Sequence, residues 1–305
     1  MQIIAFHNEL AMNDDRDPTD ADVAVGEVCR AVREVSKRRP GLVVVAPSIL
    51  EHDVARNYKF RDWLRKPKNR DLGRWLLTRA NRAPISRPVS SDESGVEYVC
   101  RGKVAAGLGA AHIYDGIAFS LDDRGEWASS AVPIHRSRLV ERDVGEIDVV
   151  EDRVTVRNLS RVTHLSPHLD WIAKFGLSDV TTGHQVWNSR DEFYPYLRFL
   201  PGVEGQLISL ERSWVEPVAK QLYLINRAAI EWDPEERPAP LWLSKVTPEH
   251  EVRRRSGIFD FLDVDQRVHT FDLHSRFTPG PGRVYFRLAA DERKIVVAHV
   301  GRKLI

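Results

Sequence analysis

The chain has 305 residues, of which 42% are hydrophobic and 29% charged, and its formal net charge is +1. That length supports a substantial core and suggests more than one domain, while near-neutrality excludes a polyanion binder that is basic over its whole surface. No apolar run approaches the length of a membrane span, and "MQIIAFHNELAMNDD" lacks a basic region ahead of an apolar stretch, so no anchor or signal peptide is expected.

In chain order, "IIAFHN" reads as an opening strand. The acidic "NDDRDPTDAD" can cap a helix beginning near Asp20, on which Val25, Val28, Val32 and Val35 recur at helical spacing. "GLVVVAP" is a short buried strand. A helical region follows in "FRDWLRKPKNRDLGRWLLTRANR", broken at Pro67, with Leu72, Trp75 and Leu76 on one side. "APISRPVSSDESG" is a Pro- and Ser-rich loop. Small residues from Val104 to Ala111 suggest a closely packed helix leading into the strand "GIAFSL", and "VGEIDVVEDRVTVRNLS" reads as a hairpin turning at Glu151–Asp152. From 203 to 232 the apolar residues Val203, Leu207, Leu210, Trp214, Val218, Leu222, Ile225, Ala229 and Trp232 recur in steps of three and four. This predicts one long helix with a single apolar stripe, ended by "DPEERPAP". The expected class is α+β: a larger N-terminal α/β body over 1–200, a long helix and linker over 201–240, and a small antiparallel sheet domain over 241–305.

Familiar chemical motifs are scarce. Cys29 and Cys100 give neither a disulfide framework nor metal-ligand spacing, and a cytoplasmic protein is expected. His164 and His168 have the i, i+4 spacing of a metal pair, but Pro167 argues against a helix across them and no glutamate follows His164, so no metal site is assigned. "GLGAAH" lacks the third glycine, the preceding strand and the acidic partner of a dinucleotide fingerprint, and no cofactor is expected. The aromatic "DEFYPYLRF" reads as a core or interface edge, with base stacking as the functional alternative.

The charge distribution says more. From 251 to 305 there are 11 Lys and Arg against 7 Asp and Glu, whereas the preceding 250 residues have 34 against 37. In "HTFDLHSRFTPGPGRVYFRLAADERKIVVAHVGRK" strands alternate with turns, and Arg283, Tyr285 and Arg287 share one face by strand alternation. The order of the pieces "LHSR", "GPG", "RVYFR", "ADERK" and "IVVAHVGRK" resembles the C-terminal half of the RelE/ParE/HigB-like superfamily of bacterial toxins. More weakly, "GLGAAHIYDGIAFSLDDRGEW" and "FYPYLRFLPGVEGQL" resemble segments of bacterial phage-defence-associated proteins.

The toxin resemblance implies a metal-independent ribonuclease surface on which basic and aromatic side chains hold the phosphate during attack by the 2′-hydroxyl. It places Arg283, His299 and Tyr285 in the catalytic group and Arg276, Arg287, Arg302 and Lys303 in contact with RNA. Arg254, in the basic run 253–255, joins the RNA-binding set by its charge. The resemblance departs in having about 200 residues ahead of the sheet where a toxin begins with a helical hairpin. Two functions therefore stand at this point. In the first, a non-catalytic component of an antiphage-defence or toxin–antitoxin-type assembly docks a protein partner, or a second copy of itself, through the sheet and the long helix. In the second, the same sheet binds and cleaves RNA. The competing account of the arginines is that they keep a strand soluble and blunt its edge.

Overall fold

The computed structural model describes residues 2–11, 16–81, 96–122, 124–143, 146–175 and 180–305. The chain divides into two compact units, residues 2–140 with 145–175, and 176–305 with the short stretch 141–144. Among the described residues no helix is long and apolar enough to cross a membrane.

The first unit opens with strand β1 (Ile4–His7) and helix α1 (Pro18–Arg38). Asp17 caps α1 by accepting a hydrogen bond from the Thr19 N–H, Pro18 stands at its first position, and Lys37 and Arg38 complement the dipole at its end. Its valine stripe is fully buried, as the spacing predicts. β2 (Val43–Val45), β3 (Asp53–Ala55) and β4 (Tyr58–Lys59) follow. The next helical region is broken at Pro67 as expected, into α2 (Phe60–Arg65) and α3 (Arg70–Ala80). The loop expected over 83–95 lies outside the described residues.

After β5 (Val96–Cys100) and β6 (Lys103–Val104), the small-residue segment forms α4 (Ala106–Ile113), followed by β7 (Ile117–Phe119). A Cβ on Gly107 would sit 2.0 Å from the His7 carbonyl oxygen, which explains why α4 is built of small residues. The unit closes with β8 (Ala131–Asp143), β9 (Glu146–Leu159) and α5 (Leu169–Lys174). Seven strands form one sheet in the order β2-β1-β7-β9-β8-β5-β6; β2, β1, β7 and β9 run parallel, which accounts for the uniformly apolar "VVV" and "IAF".

One expectation fails here. β9 is unbroken through Glu151 and Asp152, so the hairpin does not turn there. Asp152 instead receives Arg136 Nε at 2.9 Å from β8, so this residue of the expected turn is a strand residue neutralised from its neighbour.

The second unit contains α6 (Gly183–Asn188), α7 (Arg190–Phe193), β10 (Leu197–Phe199), α8 (Gly202–Ile208), α9 (Arg212–Ile230), β11 (Val246–Pro248) and α10 (Glu251–Arg254). It continues with β12 (Asp260–Leu262), β13 (Val268–Thr270), β14 (Leu273–Phe277), β15 (Gly282–Ala289) and β16 (Lys294–Arg302). Its main sheet has the order β10-β16-β15-β14-β11, with β10 parallel to β16 and the other neighbours antiparallel. The three C-terminal strands pair as the alternation predicts, whereas β13 pairs with β12 in a separate two-stranded ribbon.

The expected single helix over 203–232 is two helices. The Ser209 N–H closes α8 onto the Gly205 carbonyl, and Glu211 is extended (φ −57°, ψ 139°) at the head of α9. The connection is short enough to preserve the apolar rhythm, and only Leu210, at the break, is half-buried rather than buried. The Pro-rich segment 233–240, expected to separate domains, lies inside this unit, because β10 precedes it and pairs with β16.

Gly183 opens α6, where Thr182 and Gln185 form a reciprocal capping box. A Cβ there would fall 1.6 Å from the Leu207 carbonyl oxygen of α8. Gly183→Ala should therefore force the helices apart and cost about 1–3 kcal/mol, read as a lower urea midpoint at unchanged slope. An unchanged midpoint would show that this close approach is not maintained in solution.

Candidate anion-binding site

Strand alternation gives the second unit's sheet two distinct faces. Phe277, Val284 and Phe286 point to one, where the Trp214 ring of α9 meets Phe277 edge-on at 5.0 Å. His274, Arg276, Arg283, Tyr285, Arg287 and His299 belong to the other, because Arg276 pairs with Arg283, His274 with Tyr285, and Tyr285 with His299. Arg283, Tyr285 and Arg287 thus share a face as expected; the irregularity in the β15–β16 pairing is an extra residue on β16, which leaves the alternation of β15 intact.

Most of that face is sealed. Tyr285 is fully buried, its ring 5.3 Å from Phe259, and its hydroxyl donates to Glu249 Oε1 at 3.0 Å. Burial, and then the Glu249 charge, push the phenol up to about 12, so it stays protonated at neutral pH. Arg287 Nη2 donates to Asp263 Oδ2 at 2.5 Å, and Arg198 on β10 reaches Asp263 Oδ1 at 2.5 Å and Glu292 at 2.7 Å. The Asp263 side chain has no solvent exposure; the Arg198 hydrogen bond, and then that of Arg287, hold its carboxyl far below the usual range despite burial.

The other end of the face is cationic. Arg283 is 8% exposed; its Nη1 donates to the Gly282 carbonyl at 2.8 Å, while its buried Nε has no hydrogen-bond partner. Arg276 lies opposite it on β14, and Gly301 opposite it on β16, two residues before Lys303. Among the described residues, Arg276, Arg283 and Lys303 have no carboxylate within 4.0 Å. Glu249, whose charge reaches Arg283, is already engaged by the Tyr285 hydroxyl and by Arg253 Nη1 at 2.5 Å. Burial, and then the like charge of Arg276, lower the Arg283 pKa. Arginine keeps its proton regardless; burial and the like charge of Arg276 outweigh the attraction of Glu249.

The histidines are neutral. His274 is buried, its Nε2 3.2 Å from Thr247 Oγ1, and burial lowers its pKa although Glu249 lies 3.5 Å from Nδ1. His299 Nε2 lies 2.9 Å from the Arg302 carbonyl, which can only accept, so Nε2 carries the proton. Nδ1 then accepts from the Gln206 amide at 3.2 Å. Burial lowers this imidazole as well.

The remaining expected residues have other partners. Arg254 Nε pairs with Asp272 at 2.7 Å, and the Arg302 guanidinium lies 3.7 Å from Glu211 and 6.0 Å from the Trp214 ring centre. The structure therefore groups Arg276, Arg283 and Lys303 at one end, puts Tyr285 and His299 beside them in neutral, hydrogen-bonded form, and ties Arg287, Arg254 and Arg302 elsewhere. Sequence reasoning missed Glu249, Asp263 and His274, and held Arg253 only as part of the basic run 253–255. Of the three missed, His274 carried a signal, since it stands two residues before Arg276 and must share its face.

In the first unit, the C-terminal strand ends, where open α/β sheets usually bind ligands, hold a hydrogen-bonded network, beside which His7 Nε2 and Glu9 Oε1 are buried without a hydrogen-bond partner. Asn8 donates to Ser120 Oγ at 2.9 Å, Ser120 to Asn158 Oδ1 at 2.8 Å, and Asn158 to the Ser129 carbonyl at 2.9 Å. Residues 162–168 form a 3-10 turn, so His164 and His168 do not share an α-helical face; His168 Nε2 bonds the Ser130 carbonyl at 2.8 Å. No group of three or more His, Cys, Asp or Glu side chains suited to a metal ion occurs among the described residues.

Comparison of the chain with protein-family models, curated proteins and solved structures returns no match.

Proposed function

We propose that the protein is a non-catalytic binding component of a bacterial antiphage-defence or toxin–antitoxin-type assembly, acting in the cytoplasm. Its second unit docks the partner at the cationic end of the sheet, beside α8 and α9. The assembly rests on the resemblance of the C-terminal strands to the toxin superfamily, and two successive helices between β10 and the sheet's other strands are in keeping with it.

The observation that carries the non-catalytic reading is the state of the proton-transfer candidates. A general base needs a free lone pair within reach of substrate. His299 has both ring nitrogens engaged, and Tyr285 is buried, protonated and bonded to Glu249. His274 Nδ1 has no hydrogen-bond partner but is buried beside Glu249, and what stays available to a ligand is charge, in Arg276, Arg283 and Lys303. The ribonuclease reading keeps one observation in its favour: Arg283 stands directly opposite Arg276, as a phosphate clamp requires.

Incubating the purified protein with total RNA in a chelating buffer separates the two. Intact RNA on a denaturing gel is expected, together with co-elution of a partner encoded beside it that Arg276→Ala and Lys303→Ala release. Cleavage that Arg283→Ala abolishes while circular dichroism is unchanged would overturn the binding reading.

A further inference from the structure

We propose that the Arg276–Arg283–Lys303 end of the sheet is a binding site for a phosphomonoester dianion, such as a nucleotide phosphate or a phosphorylated oligonucleotide terminus. This rests on the docking reading above and specifies the group recognised.

A guanidinium that is more than nine-tenths buried normally faces a carboxylate; Arg283 faces Arg276 instead. One Nη1 N–H is occupied by the Gly282 carbonyl and the buried Nε N–H has no partner, so the guanidinium keeps unpaired donors for a ligand. An unpaired donor of this kind is costly in a folded protein and commonly marks the place of a missing ligand.

Charge selects the ligand. The Glu249 carboxylate is neutralised locally by Arg253, so three positive charges stand uncompensated. A carboxylate is planar and one guanidinium edge satisfies both its oxygens. A phosphodiester brings a single negative charge. A phosphomonoester brings about −1.5 to −2 at neutral pH and three terminal oxygens in a tetrahedral array. Three cations that come from two adjacent strands and from the residue following β16 suit that array. Arg276 and Lys303 are exposed and positioned to admit the ligand, while Arg283 forms the floor. His274, neutral and on the same face as Arg276, adds no competing charge.

The test is calorimetric titration of the full chain with inorganic phosphate at low salt, repeated with a nucleoside 5′-monophosphate and with one short ribo-oligonucleotide bearing a 5′-phosphate or a 5′-hydroxyl. Saturable phosphate binding is expected, weakened at least about tenfold by Arg276→Ala and by Lys303→Ala, both exposed positions whose loss leaves the fold intact. Preference for the phosphorylated oligonucleotide over its hydroxyl form supports an oligonucleotide end as the source; competition by the monophosphate alone supports a nucleotide. Absence of saturable phosphate binding, or binding unchanged in both variants, would overturn the proposal. If the partner is still released by Arg276→Ala while phosphate fails to bind, the docking reading stands and only this one falls.

Discussion

Replacing Asp263 by alanine is expected to lower the stability of the second unit by about 3–5 kcal/mol, the usual consequence of removing one member of a buried ion pair. The carboxylate lies in the segment between β12 and β13 and joins Arg198 on β10 to Arg287 on β15, two strands that β16 separates. Alanine would leave Arg287 without its acid and loosen the ribbon from the sheet. Asp263→Asn, which keeps the shape, should cost less.

The pH dependence follows with a definite sign. The folded carboxyl lies far below its ordinary value, foremost because of Arg198. Its contribution is fully present above the unfolded pKa of about 3.9, declines below that, and disappears as pH falls through the folded value. Urea titrations at pH 7 and pH 3 should show the wild type losing more stability than Asp263→Asn over that interval. Equal losses would mean that the ion triad contributes nothing to folding.

Leu222→Ala should cost about 2–5 kcal/mol, since the side chain is fully buried in α9. Leu210→Ala should cost about 1 kcal/mol or less, because Leu210 occupies the half-buried break between α8 and α9. A continuous helix would make the two leucines equivalent members of one stripe. Thermal or urea unfolding of the two variants therefore tests the break itself, and equal destabilisation would restore the single helix.

The contrast shows what the sequence made legible. Periodicity reports which residues turn inward, and every stripe residue from Val203 to Trp232 except Leu210 is buried. It does not report continuity, because a short turn preserves a three- and four-residue rhythm. Pro217 did not mark the break, because it stands at the sixth residue of α9, beyond the first turn where proline costs no hydrogen bond. Glu151–Asp152 failed for a related reason, since a polar dipeptide reads as a turn until an arginine on the neighbouring strand is known to face it.

The candidate site was half legible. Alternation placed Arg283, Tyr285 and Arg287 on one face, and local spacing can do that much. It could not distinguish an open face from a covered one. The cover comes from the stretch between β11 and β14, where Glu249, Phe259, Asp263 and Phe271 have no regular spacing relative to the strands they meet. Pairings of that kind are tertiary, and a single chain read locally does not contain them.

The position of β16 between β10 and β15 bears on how this unit assembles. Leu197 pairs with Ile295, and among the described residues no strand other than β16 lies beside β10. β10 is therefore synthesised nearly a hundred residues before the strand it pairs with, and during that interval its backbone donors and acceptors must be met by water or by a chaperone. Closing so long a loop for a three-residue parallel pairing costs more chain entropy than closing the hairpins of the meander. The antiparallel β14–β15–β16 meander has local contacts and can form first, offering a free edge of β16 on which β10 docks. Until it does, that edge is the segment of the nascent chain most open to pairing with another molecule.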